Sequence, residues 1–532
     1  MTYRLSFAAQ RVRGVCLALL STVAAVWLVM RFVRLNDSPP AFWLDEAWDA
    51  AQALCLAERG RDVNGSGWQL FSKAMGGGSL PITWTLFDVL WIRVFGTSQG
   101  AFRAAAAFWN VVTCLGLFGL ARAVRRLPAP ATNAGRADGD ANAGPVAARL
   151  FPYLVVCAAL LSPWSFQFSR IGWEGPLAPA WMVLSLWTLA RLWHARGRAW
   201  WLWGVASGAA AALSMISYPP LRVATPLVVA MAAAAMTAAT PRGADRRRFV
   251  VRLASVAVTL GAGMAAVVVK TLSGETVSRV MNVAVFTPEW LDQHRGNMGR
   301  LPFLIMTVAD NLVTHLRPSY LFFTGDANTR HSAQIVGQLS PVDDLAIVLA
   351  TAVVVGLALR VVRQIAGTAP PAWPRLDAQL KCLAAVAVLS VAAMFLATLP
   401  AALTWEGIPH ALRSIGAWPF VVLFSGAVLA AGWAARRWVP VVTVVVAVIY
   451  SAVYLPGYFR FYRTIDPDVF HRDITEAIAA GAAAHPPRTA AESIRPLLPR
   501  YGDEALRYFL MHHDHLSCQA SGDLLHRMRS GR

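Results

Sequence analysis

Three acids fall within five positions, Asp45, Glu46 and Asp49 in the stretch AFWLDEAWDA, shortly after a hydrophobic run that ends near Val33. A carboxylate placed there can take a proton from an attacking hydroxyl or hold a cation. Other polar groups recur at comparable places. SPWSFQFSRIGWEG (162–175) carries Arg170 and Glu174, SYPPLR (217–222) carries Tyr218 and Arg222, and EGIPHALRSIGAWP (406–419) carries Glu406, His410 and Arg413. THLRPSYLFFTGDANTRHS (314–332) adds His315, Arg317, Asp326, Arg330 and His331. Acids facing several arginines suit a phosphate-bearing substrate, the carboxylate taking the proton and guanidinium groups holding a leaving phosphate at two points. Each group alone has a plainer reading. Arg170 or Arg222 could snorkel to lipid headgroups, Glu174 could simply pair with Arg170, and Asp49 could orient or cap a helix turn.

The elements that must position these residues are written in the composition. The 532 residues are 56% hydrophobic and only 14% charged, with 21 Trp, too little charge to cover a soluble protein of that length. The reading is an all-α polytopic membrane protein. The net charge of +19 sits in short clusters between apolar runs, RAVRR at 122–126, RLWHARGR at 191–198, RGADRRRFVVR at 242–252 and ARRW at 435–438. Positive-inside loops leave that pattern, and nucleic-acid binding is set aside. Six scattered cysteines show no metal-type spacing and no disulfide framework. The basic, then apolar N-terminus lacks a small-residue cleavage pattern and reads as a retained first helix.

Arg4, Arg11 and Arg13 precede the first span, 15–33, so the N-terminus is expected to be cytoplasmic and the acids at 45–49 extracytoplasmic, although Arg31 and Arg34 at the far end oppose this. In the first outer loop, 34–100, the segment 80–95 holds Asp88 and Arg93 and reads as an interfacial helix, with an ordinary span as the alternative. Spans then follow at 101–121, 150–166, 176–191, 200–216, 223–240, 250–270, 344–360, 380–399, 415–434 and 438–455, about eleven in all. The stretch 127–149 is a flexible cytoplasmic linker, 271–343 a long extracytoplasmic loop, and 456–532 a short extracytoplasmic tail after a membrane domain of 1–455. The tail's HHDHLSC could bind metal, but a His cluster in a solvated tail is more often plain surface. Cys55 and Cys518 are the two cysteines placed outside, and the sequence leaves their pairing open.

In order along the chain, LDEAW, FGTSQGAFR, LSPWSFQFSRIGWEG, SYPPLRVATPL, RPSYLFFTGDANTRHS and PHALRSIGAWPF form a set that resembles the glycosyltransferase C (GT-C) superfamily, over roughly residues 10–455. It looks closest to the family 39 protein O-mannosyltransferase-like branch, with the family 83 aminoarabinose lipid A transferases as cousins. The resemblance implies juxtamembrane helices in the first outer loop and a polyprenyl-phosphate sugar donor, its tail between helices and its sugar in an outer cavity. It implies Asp45 as catalytic base or metal ligand, Glu46 as the second acid of the pair, and Glu174 where many relatives carry Asp. Arg170, Arg222 and Arg413 would contact the donor phosphate, with Tyr218 and His410 beside them, and Asp326, Arg330 and His331 are further candidates in the long loop. A divalent metal (Mg or Mn), if used, would sit on Asp45 and Glu174. The acceptor is a lipid, glycan or protein, and the setting the inner (plasma) membrane. No lumenal repeat insert of the protein-mannosyltransferase kind is present, which leaves lipid and polysaccharide acceptors open. Competing readings are a lipid-linked glycan ligase or polymerase centred on 271–343, a sugar or lipid transporter, and a non-catalytic assembly subunit.

Overall fold

The computed structural model describes residues 2–73, 79–125, 143–273, 278–366 and 377–530. It is 75% helical, and among the described residues the only sheet is an antiparallel pair, β1 (Phe71–Lys73) with β2 (Ser79–Pro81). The expected linker at 127–149 lies outside the described residues up to position 142.

After α1 (Thr2–Met30) the chain turns back into α2 (Leu44–Arg59), which carries the acids, and then α3 (Ile82–Phe95). Three passes follow: α4 (Gln99–Val124), α5 (Ala143–Leu161) with the short α6 (Pro163–Phe168) at its end, and α7 (Leu177–His194). Next come α8 (Trp200–Ser217), α9 (Leu221–Ala239) and α10 (Ala244–Leu272), then three short helices, α11 (Ser278–Val283), α12 (Pro288–His294) and α13 (Arg300–Thr314). Four long helices complete the bundle, α14 (Pro341–Ile365), α15 (Ala378–Ala402), α16 (Trp418–Ala435) and α17 (Trp438–Thr464). The chain ends in α18 (Arg472–Ala483), α19 (Ala490–Ile494), α20 (Asp503–His513) and α21 (Cys518–Ser530).

Among the described residues eight helices are long and apolar enough to cross a membrane: α1, α4, α9, α10, α14, α15, α16 with the turn before it, and α17. The expected passes at 150–166, 176–191 and 200–216 correspond to α5, α7 and α8, which are shorter or carry more polar residues. The chain is an integral membrane protein. Helix α3 does not belong to the bundle's long set. Its 14 residues span about 21 Å at roughly 1.5 Å each, short of a hydrocarbon core of about 30 Å. Leu86, Leu90 and Val94 on one side are exposed while Trp84, Asp88 and Ile92 on the other are buried.

Local chemistry sets the ends. Ser98 Oγ accepts from Ala101 N–H at the start of α4, and Ser340 and Asp343 cap the start of α14 reciprocally. Helix α2 stops at Gly60, whose φ of +68° is the left-handed conformation that closes a helix cheaply only without a Cβ. Packing of α1 on α17 centres on the fully buried Trp27, stacked on Tyr450 and Tyr454 at 5.1 and 5.2 Å. The tail helices fold back on the first loop. Helix α20 packs on α2, Tyr508 meets Phe42 at 4.6 Å, and a disulfide joins Cys55 to Cys518. Helix α17 itself continues to Thr464, past position 455.

Candidate active site

The first-loop acids sit on one helix but meet different surroundings. Glu46 is fully buried, and its carboxylate is consumed. It accepts two bonds from Arg103, Nε to Oε1 at 2.9 Å and Nη2 to Oε2 at 2.8 Å, plus the backbone N–H of Gly172 at 2.6 Å and of Trp43 at 3.2 Å. Asp45, one residue earlier, is only half-buried, and its charge favours the guanidinium of Arg330 against the burial that otherwise lowers the Arg330 pKa. Arg330 lies over the Trp43 ring at 4.3 Å. Trp43 in turn meets Trp173 edge-on at 4.9 Å, and Trp173 stands 6.1 Å from the His331 ring. Asp45, Arg330 and His331 therefore line one aromatic-walled region, with Glu174 beside Trp173 in the loop before α7.

A third acid faces the same region. Asp49 is buried, and burial first, then the negative charges of Glu174, Asp88, Asp45 and Glu46, push its carboxyl well above the usual carboxylate range. Asp88 on α3 is also buried, both of its carboxylate oxygens lack a hydrogen-bond partner among the described residues, and burial raises its pKa as well. Desolvated carboxyls close to one another resist carrying several full charges, which favours the protonated forms of Asp49 and Asp88.

The arginines separate by their partners. Arg170 is fully buried and gives its bonds to backbone, Nη1 to Met30 O at 2.5 Å and Nη2 to Val33 O at 2.9 Å and Ser38 O at 2.7 Å. It clamps the turn after α1 rather than pairing with Glu174. Arg413 is paired with Glu406 at 2.8 Å and bonds Thr404 and the Glu406 carbonyl. Arg222, at the start of α9, lies over Phe71 at 4.8 Å with its Nε buried and without a hydrogen-bond partner among the described residues. Tyr218, buried, closes the end of α8 close by, where Ser217 meets Thr83 of α3 at 3.0 Å.

The long loop carries an imidazole cluster. Asp326 Oδ2 faces His331 Nδ1 at 2.9 Å and accepts from the Ala411 N–H at 2.7 Å, while Oδ1 accepts from Asn328 N–H. The His331 and His410 rings are 4.8 Å apart. His315 fixes His410 from behind. Its Nδ1 faces the Asn311 carbonyl and its Nε2 accepts from the His410 N–H, so it is neutral, and burial lowers its pKa accordingly. Helix α6 and α17 hold the loop in place through Gln167 to Arg330 O and Tyr462 to Thr329 O, both at 2.7 Å.

Asp326, His331 and His410 bring one ligand atom each within 4.8 Å of the others. This is a possible metal site, and it does not include Asp45 and Glu174, where the sequence placed a metal. Two imidazoles and a carboxylate suit zinc-like ions better than magnesium, which prefers oxygen ligands. Asp326, already bonded to His331, would act as much by orienting that ring as by binding directly.

Beyond the site, an apolar cavity of about 560 Å³ lies among the long helices. Val228 and Met231 of α9 and Val386 and Leu389 of α15 line it. The other ends of these two helices, Arg222 and Ala402, adjoin the polar region.

No family model matches the chain, and no curated protein matches it. Among solved structures it is similar to the apo oligosaccharyltransferase of Archaeoglobus fulgidus, at a TM-score of 0.42 and 13% identity, over 84% of this chain and 56% of that one. It is similar to ArnT from Cupriavidus metallidurans bound to undecaprenyl phosphate, at 0.43 and 14%, over 96% of this chain and 88% of that one. The third is AglB, an archaeal oligosaccharyltransferase from Archaeoglobus fulgidus in complex with an inhibitory peptide and a dolichol-phosphate, at 0.43 and 12%, over 93% and 59%. The chain thus spans 56% and 59% of the length of these two oligosaccharyltransferase chains. Every one of these TM-scores lies below 0.5, a likeness of general chain course alone.

Proposed function

We propose that the protein is a membrane glycosyltransferase of the GT-C type, moving a hexose or pentose from a polyprenyl-phosphate donor to an acceptor at the outer face of the plasma membrane. The observation that carries this reading is Asp45, half-buried and within electrostatic reach of Arg330, which lies over the Trp43 ring where α2 and the long loop meet. In this reading Asp45 takes the acceptor hydroxyl's proton as that oxygen bonds to the anomeric carbon. The bond from that carbon to the phosphate oxygen breaks, and the electron pair leaves with the polyprenyl phosphate. Arg330 and Arg222, whose guanidinium groups make no ion pair with a full hydrogen bond among the described residues, are better placed to receive that charge than Arg170 and Arg413.

Glu46 becomes a positioning residue, because a carboxylate with four donors on it has no lone pair to spare for a proton in flight. Glu174, with Asp49, faces the sugar side, and Trp43 and Trp173 offer ring faces for a pyranose. Asp326, His331 and His410 would hold a divalent ion of the zinc kind, which would supply positive charge beside the leaving group. The apolar cavity between α9 and α15 offers room for part of an isoprenoid tail. The disulfide between Cys55 and Cys518 supports an outer, oxidising position for α2 and the tail, hence a cytoplasmic N-terminus.

The test supplies the purified protein with radiolabelled polyprenyl-phosphate sugars and a cell-envelope extract. Label should move to a lipid, glycan or protein with the parent chain and fail to move with Asp45→Asn of unchanged thermal stability. A parent chain that transfers nothing from any donor, or an active Asp45→Asn, overturns the assignment.

A further inference from the structure

At the opposite end of the bundle, helices α4 and α7 pack side by side and finish together. Their last turns carry Arg122 and Arg191. Between the helices lies a separate cleft of about 370 Å³, lined by Leu115, Phe118, Gly119, Arg122, Trp187 and Arg191 together with Ala123. Its chemistry is divided along its length. The two guanidinium groups stand at the mouth, and Leu115 lies seven residues deeper, about 10 Å at roughly 1.5 Å per residue. Leu115 is 65% exposed, so the cleft opens sideways to the hydrocarbon of the bilayer.

Each guanidinium rests on a ring, Arg122 over Phe118 at 5.6 Å and Arg191 over Trp203 at 4.8 Å. Among the described residues neither makes an ion pair and no carboxylate lines the cleft. The ends of α4 and α7 place backbone carbonyls there, which accounts for the presence of cations but does not neutralise two of them. Gly119 gives the cleft its floor: a Cβ there would come within 2.6 Å of the Trp187 ring, so only glycine lets that indole lie against α4.

We infer that this cleft binds one anionic phospholipid of the leaflet at the basic end of the bundle. Its phosphodiester bridges Arg122 and Arg191 through charge-assisted hydrogen bonds, and one acyl chain runs over Phe118 and Trp187 toward Leu115. Charge complementarity selects the occupant. Two guanidinium groups with no acidic partner among the described residues, next to Arg125, Arg196 and Arg198, favour a lipid with net negative charge over a zwitterionic one whose ammonium would meet the same cations. The site lies on the far side of the α4–α7 pair from the apolar cavity and takes no part in the transfer chemistry proposed above.

Purified protein in mild detergent, examined by native mass spectrometry with added phosphatidylglycerol or phosphatidylcholine of the same chains, tests this. The wild type should retain one phosphatidylglycerol and no phosphatidylcholine. Arg122→Gln/Arg191→Gln should bind phosphatidylglycerol about thirtyfold more weakly, roughly fivefold for each arginine at the surface. Leu115→Trp, which fills the cleft at a lipid-facing position and leaves both arginines, should also release the lipid and guards against misfolding of the double variant. Equal retention by both variants, equal retention of phosphatidylcholine, or displacement of the lipid by inorganic phosphate at the same concentration would each overturn the inference.

Discussion

Arg103 and Glu46, 57 residues apart, form an ion pair in which neither side chain has any exposure. Arg103 spends all five of its donors: two on Glu46, and three on the carbonyls of Leu35, Pro39 and Ala41. One guanidinium thus ties α4 to the turn before α2 and to the helix that carries Asp45. Arg103→Lys, with three donors in a different geometry, should fail almost as badly as Arg103→Ala. Removing one partner of such a pair costs about 3–5 kcal/mol. The folded, monodisperse fraction after size-exclusion should collapse for Arg103→Lys and for Glu46→Gln alike, and a well-folded Glu46→Gln that merely lacks transfer would return Glu46 to the chemistry.

Arg170 and Arg330 invite opposite outcomes. Arg170→Ala orphans the carbonyls of Met30, Val33 and Ser38 inside the protein, so its melting temperature should drop whatever the substrate. Arg330 is part-buried, lies over Trp43 and is favoured in its charged form by Asp45, so Arg330→Ala should fold normally and lose about a hundredfold in transfer rate, the scale of one electrostatic donor to a developing anion. Paired thermal-shift and turnover measurements on the two variants separate the roles. An Arg330→Ala protein with full turnover would remove it from the donor site.

That separation also measures what the sequence could reveal. Length and apolarity locate the long helices, and the shortness of α3 is legible from Asp88 and a short apolar run, because both are local properties. Of Arg31 and Arg34, which oppose the expected topology, Arg34 is exposed, whereas the setting of Arg31 emerges only in three dimensions. The side chain is fully buried, bonded to Ser165, Ser169 and the Leu160 carbonyl, and so is no loop charge at all. Sequence sets Glu46 beside Asp45 as the second acid of the pair, since nothing local says that Glu46 points at Arg103. One signal was available: an arginine in the first turns of a long apolar helix is costly and needs a buried partner, which marks Arg103 as a seeker of an acid. The division of the arginines between backbone clamps and open charges depends on loop geometry that no spacing encodes. The same holds for the joining of Asp326 to His331 and His410.

The bond between Cys55 and Cys518 closes a loop of nearly the whole chain and fastens the tail helices to α2. Cys518 also sits under a hydrogen bond from its N–H to Glu58, and Arg507 bonds the Val63 carbonyl nearby. Cys55→Ser should weaken this attachment by about 2–4 kcal/mol. Limited trypsin digestion should then cut within 465–530 under conditions that leave the oxidised parent intact. Equal protection would mean that α20 is held by packing on α2 alone.

Metal content offers a check on the imidazole cluster that needs no substrate. Protein purified without chelator should carry close to one zinc per chain by elemental analysis, and His331→Ala should lose it while Asp45→Asn keeps it. Zinc that disappears from Asp45→Asn and persists in His331→Ala would move the ion to the first-loop acids.

Asp88 links burial to pH. Its folded-state pKa is raised above the ordinary value of 3.8 by burial, so the folded protein binds a proton more readily than the unfolded chain does. The sign follows: below the unfolded value the group costs nothing, and stability falls as pH rises from there through the folded pKa, where an unpartnered buried carboxylate must either ionise or hold its proton against the solvent. Asp49 has the same sign, with Glu174 and Asp88 as neighbours. Asp88→Asn keeps the shape and cannot ionise, so melting temperatures measured from pH 5 to pH 9 should fall for the parent and fall less steeply for the variant, the two diverging toward the alkaline end. Parallel curves would mean that a cation or a water chain already satisfies Asp88 in the folded protein, and that its two oxygens mark a binding position rather than a protonated acid.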